Sequence, residues 1–116
     1  MKKILLVEDE QNLLDIYCEF FKSNDFECIT AEDGITALKL FEEIRPDIVI
    51  TDIKLSGLTG IEVLMEMKQM EYKIPIIVIT GVLPEKYGGY LTNHVEAVFT
   101  KPVTLSALLA KVKELV

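Results

Sequence analysis

An α/β fold built on a doubly wound, five-stranded parallel sheet is what this 116-residue sequence predicts. Three observations predict it. Short, wholly apolar runs alternate five times with segments whose apolar residues recur every three or four positions. The clearest runs are continuous and rich in β-branched residues, which suits strands buried on both faces. The polar residues that end the central runs fall where open α/β sheets keep their sites. Such alternation implies helices on both faces, right-handed crossovers and the strand order 2-1-3-4-5, whose switch point lies between strands 1 and 3.

Ile4-Leu5-Leu6-Val7 is the first strand, stopped by Glu8-Asp9-Glu10. Leu13, Leu14, Tyr17, Cys18, Phe20 and Phe21 then mark a helix, broken by the polar stretch Lys22 to Asp25. Phe26 to Ala31 reads as strand 2. After Gly34 a second helix carries Ala37, Leu38, Phe41 and Ile44 on one face and stops at Pro46. Ile48-Val49-Ile50-Thr51 is strand 3 and delivers Asp52 to its carboxyl end. Taken alone, Asp52 is equally a cap for the next helix or turn.

Gly60 opens a third helix with Ile61, Val63, Leu64, Met67 and Met70; Met65, Met67 and Met70 read as its core or edge. Pro75 introduces strand 4, Ile76 to Thr80. Residues 82–94 hold Pro84, Gly88 and Gly89, so the fourth helix is expected to be irregular, because a glycine costs a helix interior about 1 kcal/mol. Tyr87 and Tyr90 either form an exposed patch there or fold back onto the sheet. Val95 to Thr100 is strand 5, stopped by Lys101-Pro102. Leu105, Leu108, Leu109, Val112 and Leu115 line the last helix, which starts near Val103 or Thr104.

No linker, repeat or composition shift divides the chain, so residues 1–116 are expected to form one domain. Net charge is −7, from 19 acidic and 12 basic residues, which argues against direct nucleic-acid binding. The apolar runs are too short to cross a bilayer, no signal peptide is visible, and a cytoplasmic location is the expectation. Cys18 and Cys28 lack metal-ligand spacing and read as reduced residues, either in the core or half-buried. His94 is the only histidine, which excludes a multi-histidine metal site and a histidine triad; it reads as a surface loop residue.

The strand order brings Glu8, Asp9 and Asp52 to one crevice. Two carboxylates about 4 Å apart repel by roughly 4 kcal/mol at an effective dielectric of 20, so the cluster needs a cation or shifted pKa values. An all-oxygen donor set favours Mg2+ over Zn2+. Thr80 and Lys101 end strands 4 and 5 at the same edge. The chemistry suggested is phosphoryl transfer onto Asp52 as nucleophile, with Asp9 and Asp52 holding Mg2+, and Lys101 and Thr80 contacting phosphoryl oxygens. Neither GxGxxG nor GxxxxGK[ST] occurs, so these routes to nucleotide binding are not indicated.

Glu8-Asp9, Ala31-x-x-Gly34-x-x-Ala37-Leu38, Pro46-Asp47, Asp52 with Gly60 eight residues on, Thr80-Gly81 and Lys101-Pro102 occur in one order and spacing. With them the chain resembles, over essentially its whole length, a response-regulator receiver domain of two-component signalling. The resemblance implies that Asp52 takes a phosphoryl group from a histidine kinase or phosphotransfer protein, in a reaction the domain itself promotes, followed by slow dephosphorylation. It implies Mg2+ bound by Asp9, Asp52 and the backbone carbonyl of Lys54, with Glu8 acting through water. Thr80 and Lys101 then read the phosphoryl group. It also implies a cis Lys101-Pro102 bond, a kinase docked near helix 1 and the loops around the site, and an output partner or homodimer on the face of helix 4, strand 5 and helix 5.

Three departures matter. Ser56 replaces the family's usual proline. Val98 stands where an aromatic usually couples to the threonine, so Thr80 and Val98 are the switch positions to watch; Phe99 belongs to the opposite face. The third departure is the glycine-interrupted fourth helix. An alternative reading is therefore a receiver-fold interaction module that does not switch. A metabolic phosphatase with an aspartyl intermediate is a weaker reading, because haloacid-dehalogenase-like enzymes carry a second Asp where this chain has Lys54. Lys54 would instead affect water attack on the acyl phosphate.

Overall fold

The computed structural model describes residues 1–54, 60–70, 73–81, 89, 91 and 93–116. Five parallel strands, β1 (Lys3–Val7), β2 (Glu27–Ala31), β3 (Ile48–Thr51), β4 (Ile76–Thr80) and β5 (Ala97–Thr100), form one sheet in the order β2-β1-β3-β4-β5. Three helices, α1 (Gln11–Ser23), α2 (Gly34–Ile44) and α3 (Gly60–Gln69), and a C-terminal helix (Leu105–Leu115) cover it. The predicted order and class are those observed.

Residue parity explains the two layers. Ile4, Leu6, Ile48, Ile50, Ile77 and Ile79 pack with Leu14 and Phe21 of α1 and with Leu108 and Val112 of the C-terminal helix. Leu5, Val7, Val49, Ile76 and Val78 pack on the other side with Ala37 and Phe41 of α2 and Leu64 and Met67 of α3. Successive residues of a strand point to opposite faces, so a continuous apolar run serves both cores. The edge strands β2 and β5 are only partly buried, as edges should be. The strand starts at 27 and 97 lie one and two residues inside the expected ones. Phe26 still closes the turn after α1, packing edge-on against Phe21 with ring centroids 5.9 Å apart.

Two local devices fix the strand entries. Arg45 takes a left-handed conformation (φ 51°) that ends α2 just before Pro46. Asp47 then clamps β1 to β3: its Oδ2 accepts from the Lys3 N–H at 2.7 Å, and its own N–H donates to the Lys3 carbonyl at 2.9 Å. At β4 the Glu96 carboxylate accepts from the Ile76 N–H at 2.6 Å.

The irregular fourth helix expected from Pro84, Gly88 and Gly89 falls mostly outside the described residues. Gly89, Leu91, Asn93 and His94 are described and are helical. Leu91 is wholly buried in the α2/α3 core. His94 is exposed but helical rather than in a loop. Pro84, Tyr87, Gly88, Tyr90 and Ser56 lie outside the described residues. Met67 is buried and Met70 partly so, while Met65 is 44% exposed.

Gly60 opens α3 against the chain that carries Asp52. A Cβ there would run into the Asp52 carbonyl and the Ile53 Cα. Gly60→Ala should therefore lower the unfolding free energy by about 1–3 kcal/mol in urea titrations. Gly81→Ala, where a methyl meets nothing within 4 Å, is the control and should leave the midpoint nearly unchanged.

Candidate functional site

Backbone bonds carry three strands one residue past their ladders. The Glu8 N–H donates to the Ala31 carbonyl, Asp52 N–H to Val7, and Lys101 N–H to Thr80. Glu8, Asp52 and Lys101 share the parity of Leu6, Ile50 and Phe99, so their side chains emerge on the α1 side of the sheet's carboxyl edge. There they meet. Lys101 Nζ donates to Glu8 Oε1 at 2.9 Å and to Asp52 Oδ2 at 2.7 Å.

Asp52 is 7% exposed. Its Oδ1 accepts from the Ile53 N–H at 2.6 Å and the Lys54 N–H at 3.2 Å. The Thr51 hydroxyl donates to the Asp52 carbonyl at 2.9 Å. Both carboxylate oxygens are thus oriented by donors. Glu8 is buried as deeply, and its Oε2 has no hydrogen-bond partner among the described residues. Burial pushes the Glu8 carboxyl up to about 7, and the nearby Asp52 adds to the rise while Lys101 opposes it. Burial works against the Lys101 ammonium, but its hydrogen bonds to Asp52 and Glu8 outweigh that and hold its pKa above the ordinary lysine value. The cluster needed a cation or shifted pKa values, and this conformation has both.

The other sequence-predicted residues are placed less closely. Thr80 is buried at the end of β4, on the parity of the α2/α3 core, and its carbonyl takes the Lys101 N–H. Asp9 and Lys54 are exposed beside Glu8 and Asp52. Among the described residues, no three acidic, cysteine or histidine side chains gather closely enough to hold a metal together. The expected convergence of three carboxylates is therefore a pair here, with Lys101 between them. Asp9 stands outside it because it is turned out at the start of the loop into α1. The donor set nevertheless fits a hard divalent cation: oxygen ligands only, two of them buried carboxylates, one with an unpartnered oxygen. Val98 is 37% exposed on β5, and Phe99 packs on the opposite face as expected. The Lys101-Pro102 bond is cis.

By helical spacing alone, Tyr17 is one of α1's apolar positions. It lines a cavity of about 10 Å3 together with Glu8, Asp52 and Lys101. Burial raises its pKa, and the charges of Lys101, Glu8, Asp52 and Glu10 act on its hydroxyl. Helical spacing marked the position as inward-facing, but nothing local said which charges it would face.

Comparison with known proteins agrees with this geometry. The family described as the response regulator receiver domain matches residues 4–113. The alkaline phosphatase synthesis transcriptional regulatory protein PhoP of Bacillus subtilis is 33% identical over 97% of this chain, which spans 47% of that protein's length. Sporulation initiation phosphotransferase F of the same organism is 30% identical over 97% of this chain and 92% of its own. Among solved structures, a CheY-like receiver domain from Methanospirillum hungatei superposes with a TM-score of 0.94 at 27% identity, covering 98% of this chain and 92% of that one. The response regulator TrrA of Thermotoga maritima, solved with Mg2+ and BeF, superposes at 0.89 with 33% identity over the full length of both chains.

The Glu8 shift has a direction that can be measured without metal. A carboxyl raised from 4.5 to about 7 favours the folded state while protonated. That contribution is fully present below about pH 4.5 and is lost as pH rises through about 7. In magnesium-free buffer, wild type should lose stability relative to Glu8→Gln across that window, and the Glu8 carboxyl carbon should titrate near pH 7 by NMR. Lys101→Met should move that midpoint higher still, because Lys101 opposes the rise; a midpoint that falls would contradict this assignment.

Proposed function

The chain belongs to the response regulator receiver domain family, and from that premise we propose that Asp52 is the phosphoacceptor of a two-component relay. The observation that carries this reading is the Lys101 ammonium held between Glu8 and Asp52 at the sheet's carboxyl edge. Residues 1–116 act in it as one receiver domain. The donor is a phosphohistidine on a sensor kinase or phosphotransfer protein.

The Asp52 carboxylate attacks the phosphorus in line. A new O–P bond forms as the donor's N–P bond breaks, and the electron pair leaves with the donor imidazole. The attacking atom is a carboxylate oxygen, so the step needs no general base to take a proton from a hydroxyl nucleophile. The two backbone donors on Oδ1 fix its orientation before the donor arrives. Lys101 passes from the carboxylate to an oxygen of the new phosphoryl group, keeping its charge next to the charge that develops. Thr80, at the end of the neighbouring strand β4, is the residue this reading assigns to a second oxygen. Proteins of this family bind Mg2+, and Glu8, Asp9, Asp52 and the Lys54 carbonyl are the groups that would hold it here. When bound, the ion neutralises charge on the phosphoryl oxygens.

A groove of about 490 Å3 between α1 and the start of the C-terminal helix opens beside Lys101. It is lined by Leu13, Ile16, Tyr17, Pro102, Val103 and Leu105, and Ile16 is 51% exposed. Its apolar character and its place next to the acceptor suit the docking of the donor's helices. The exposed Val98 lies on β5, away from this groove, on the surface left for an output partner.

Intact mass after incubation with a small phosphodonor tests the chemistry. Wild type should gain one phosphoryl group only with Mg2+, and Asp52→Asn none; undiminished labelling of Asp52→Asn would refute the assignment. The groove has its own test. Ile16→Asp should slow transfer from a phosphorylated partner kinase at least tenfold, while the rate with the small donor stays as in wild type.

A further inference from the structure

Tyr17 sits among apolar neighbours. Leu14 and Phe21 flank it on the buried face of α1, and all three pack in one core. A ring suits that row, and the charges of Lys101, Glu8 and Asp52 act on the hydroxyl at its tip. Tyr17 is only 7% exposed, yet it borders two spaces at once. One is the outer groove beside α1. The other is the small inner cavity whose walls include Glu8, Asp52 and Lys101.

That inner cavity holds the one buried side-chain acceptor without a partner among the described residues, Glu8 Oε2. A tyrosine hydroxyl is a donor. The cavity measures about 10 Å3, room for no more than a single water between the two groups. Glu8 Oε1 is already taken by Lys101. A donor on Oε2 would therefore fix the plane of the Glu8 carboxylate, and through Oε1 the position of Lys101 over Asp52. We propose that Tyr17 is a positioning residue of the phosphoryl-transfer site: its hydroxyl holds Glu8 across the inner cavity through one water, and so sets the carboxylate for the cation. The inference rests on the phosphoacceptor reading. It adds a link, since the ring that orients Glu8 from inside is also a wall of the groove outside.

Tyr17→Phe keeps the ring and removes only the hydroxyl. Its affinity for Mg2+, followed by amide shifts around Asp52, should fall about three- to tenfold. Its thermal midpoint in magnesium-free buffer should stay within a few degrees of wild type. A role in packing alone would lower stability without a matching loss of Mg2+ affinity. In wild type with 13C-labelled tyrosine, the Cζ signal that is missing from Tyr17→Phe should shift as Mg2+ is added. Wild-type Mg2+ affinity in Tyr17→Phe, or a Tyr17 Cζ signal unmoved by Mg2+, would overturn the proposal. Failure of the parent reading looks different: wild type itself would take no phosphoryl group at Asp52.

Discussion

One ammonium group between two buried carboxylates is the interaction on which this structure depends. Glu8, Asp52 and Lys101 come from three strands and are far apart in sequence, yet Lys101 Nζ reaches both acids within 2.9 Å. Without it, two acids would face each other almost out of contact with water, at a cost of several kcal/mol. The sheet delivers them there by simple means. Each is the first residue beyond a parallel ladder, and each shares the parity of the isoleucines and leucines that pack against α1 and the C-terminal helix. The site is thus the polar end of a hydrophobic column.

That arrangement is poised rather than inert. The Lys101 ammonium offsets the charge of the two carboxylates, and its chain is long enough to stay engaged while the groups around it change. Glu8 bears the cost: burial pushes its pKa up to about 7, and one of its oxygens has no hydrogen-bond partner among the described residues. A group tuned to neutral pH and left half satisfied is more informative about function than a fully paired one. Asp52 is the opposite case, with donors on both oxygens and a fixed orientation. On the proposed reading, the difference separates the residue that reacts from the residue that adjusts.

Much of this was legible in the sequence, for identifiable reasons. Apolar runs such as Ile48-Val49-Ile50 can only be strands covered on both faces, and five of them alternating with helical periods leave few topologies. Once the order is fixed, the residues that end strands 1, 3 and 5 must share an edge, which is how Glu8, Asp52 and Lys101 could be grouped. What the sequence did not show depends on contacts without a local signal. The Asp47 clamp on Lys3 joins residues 44 positions apart. The close approach at Gly60 depends on where the chain after Asp52 runs. Helical spacing put Tyr17 inside but said nothing of the charges around its hydroxyl. Adjacency in sequence groups Asp9 with the other acids, whereas burial separates it from Glu8.

The central claim is that Asp52, one of the two carboxylates held by Lys101, is the one that accepts the phosphoryl group. Hydride reduction tests it most directly, because an aspartyl phosphate is an acyl phosphate and is reduced to the alcohol while a free carboxylate is not. The protein is phosphorylated, treated with borohydride, digested and sequenced by mass spectrometry. Homoserine is predicted at position 52, and only in the sample phosphorylated with Mg2+. Homoserine at another aspartate, or an unmodified Asp52 in protein that demonstrably carries phosphate, would contradict it.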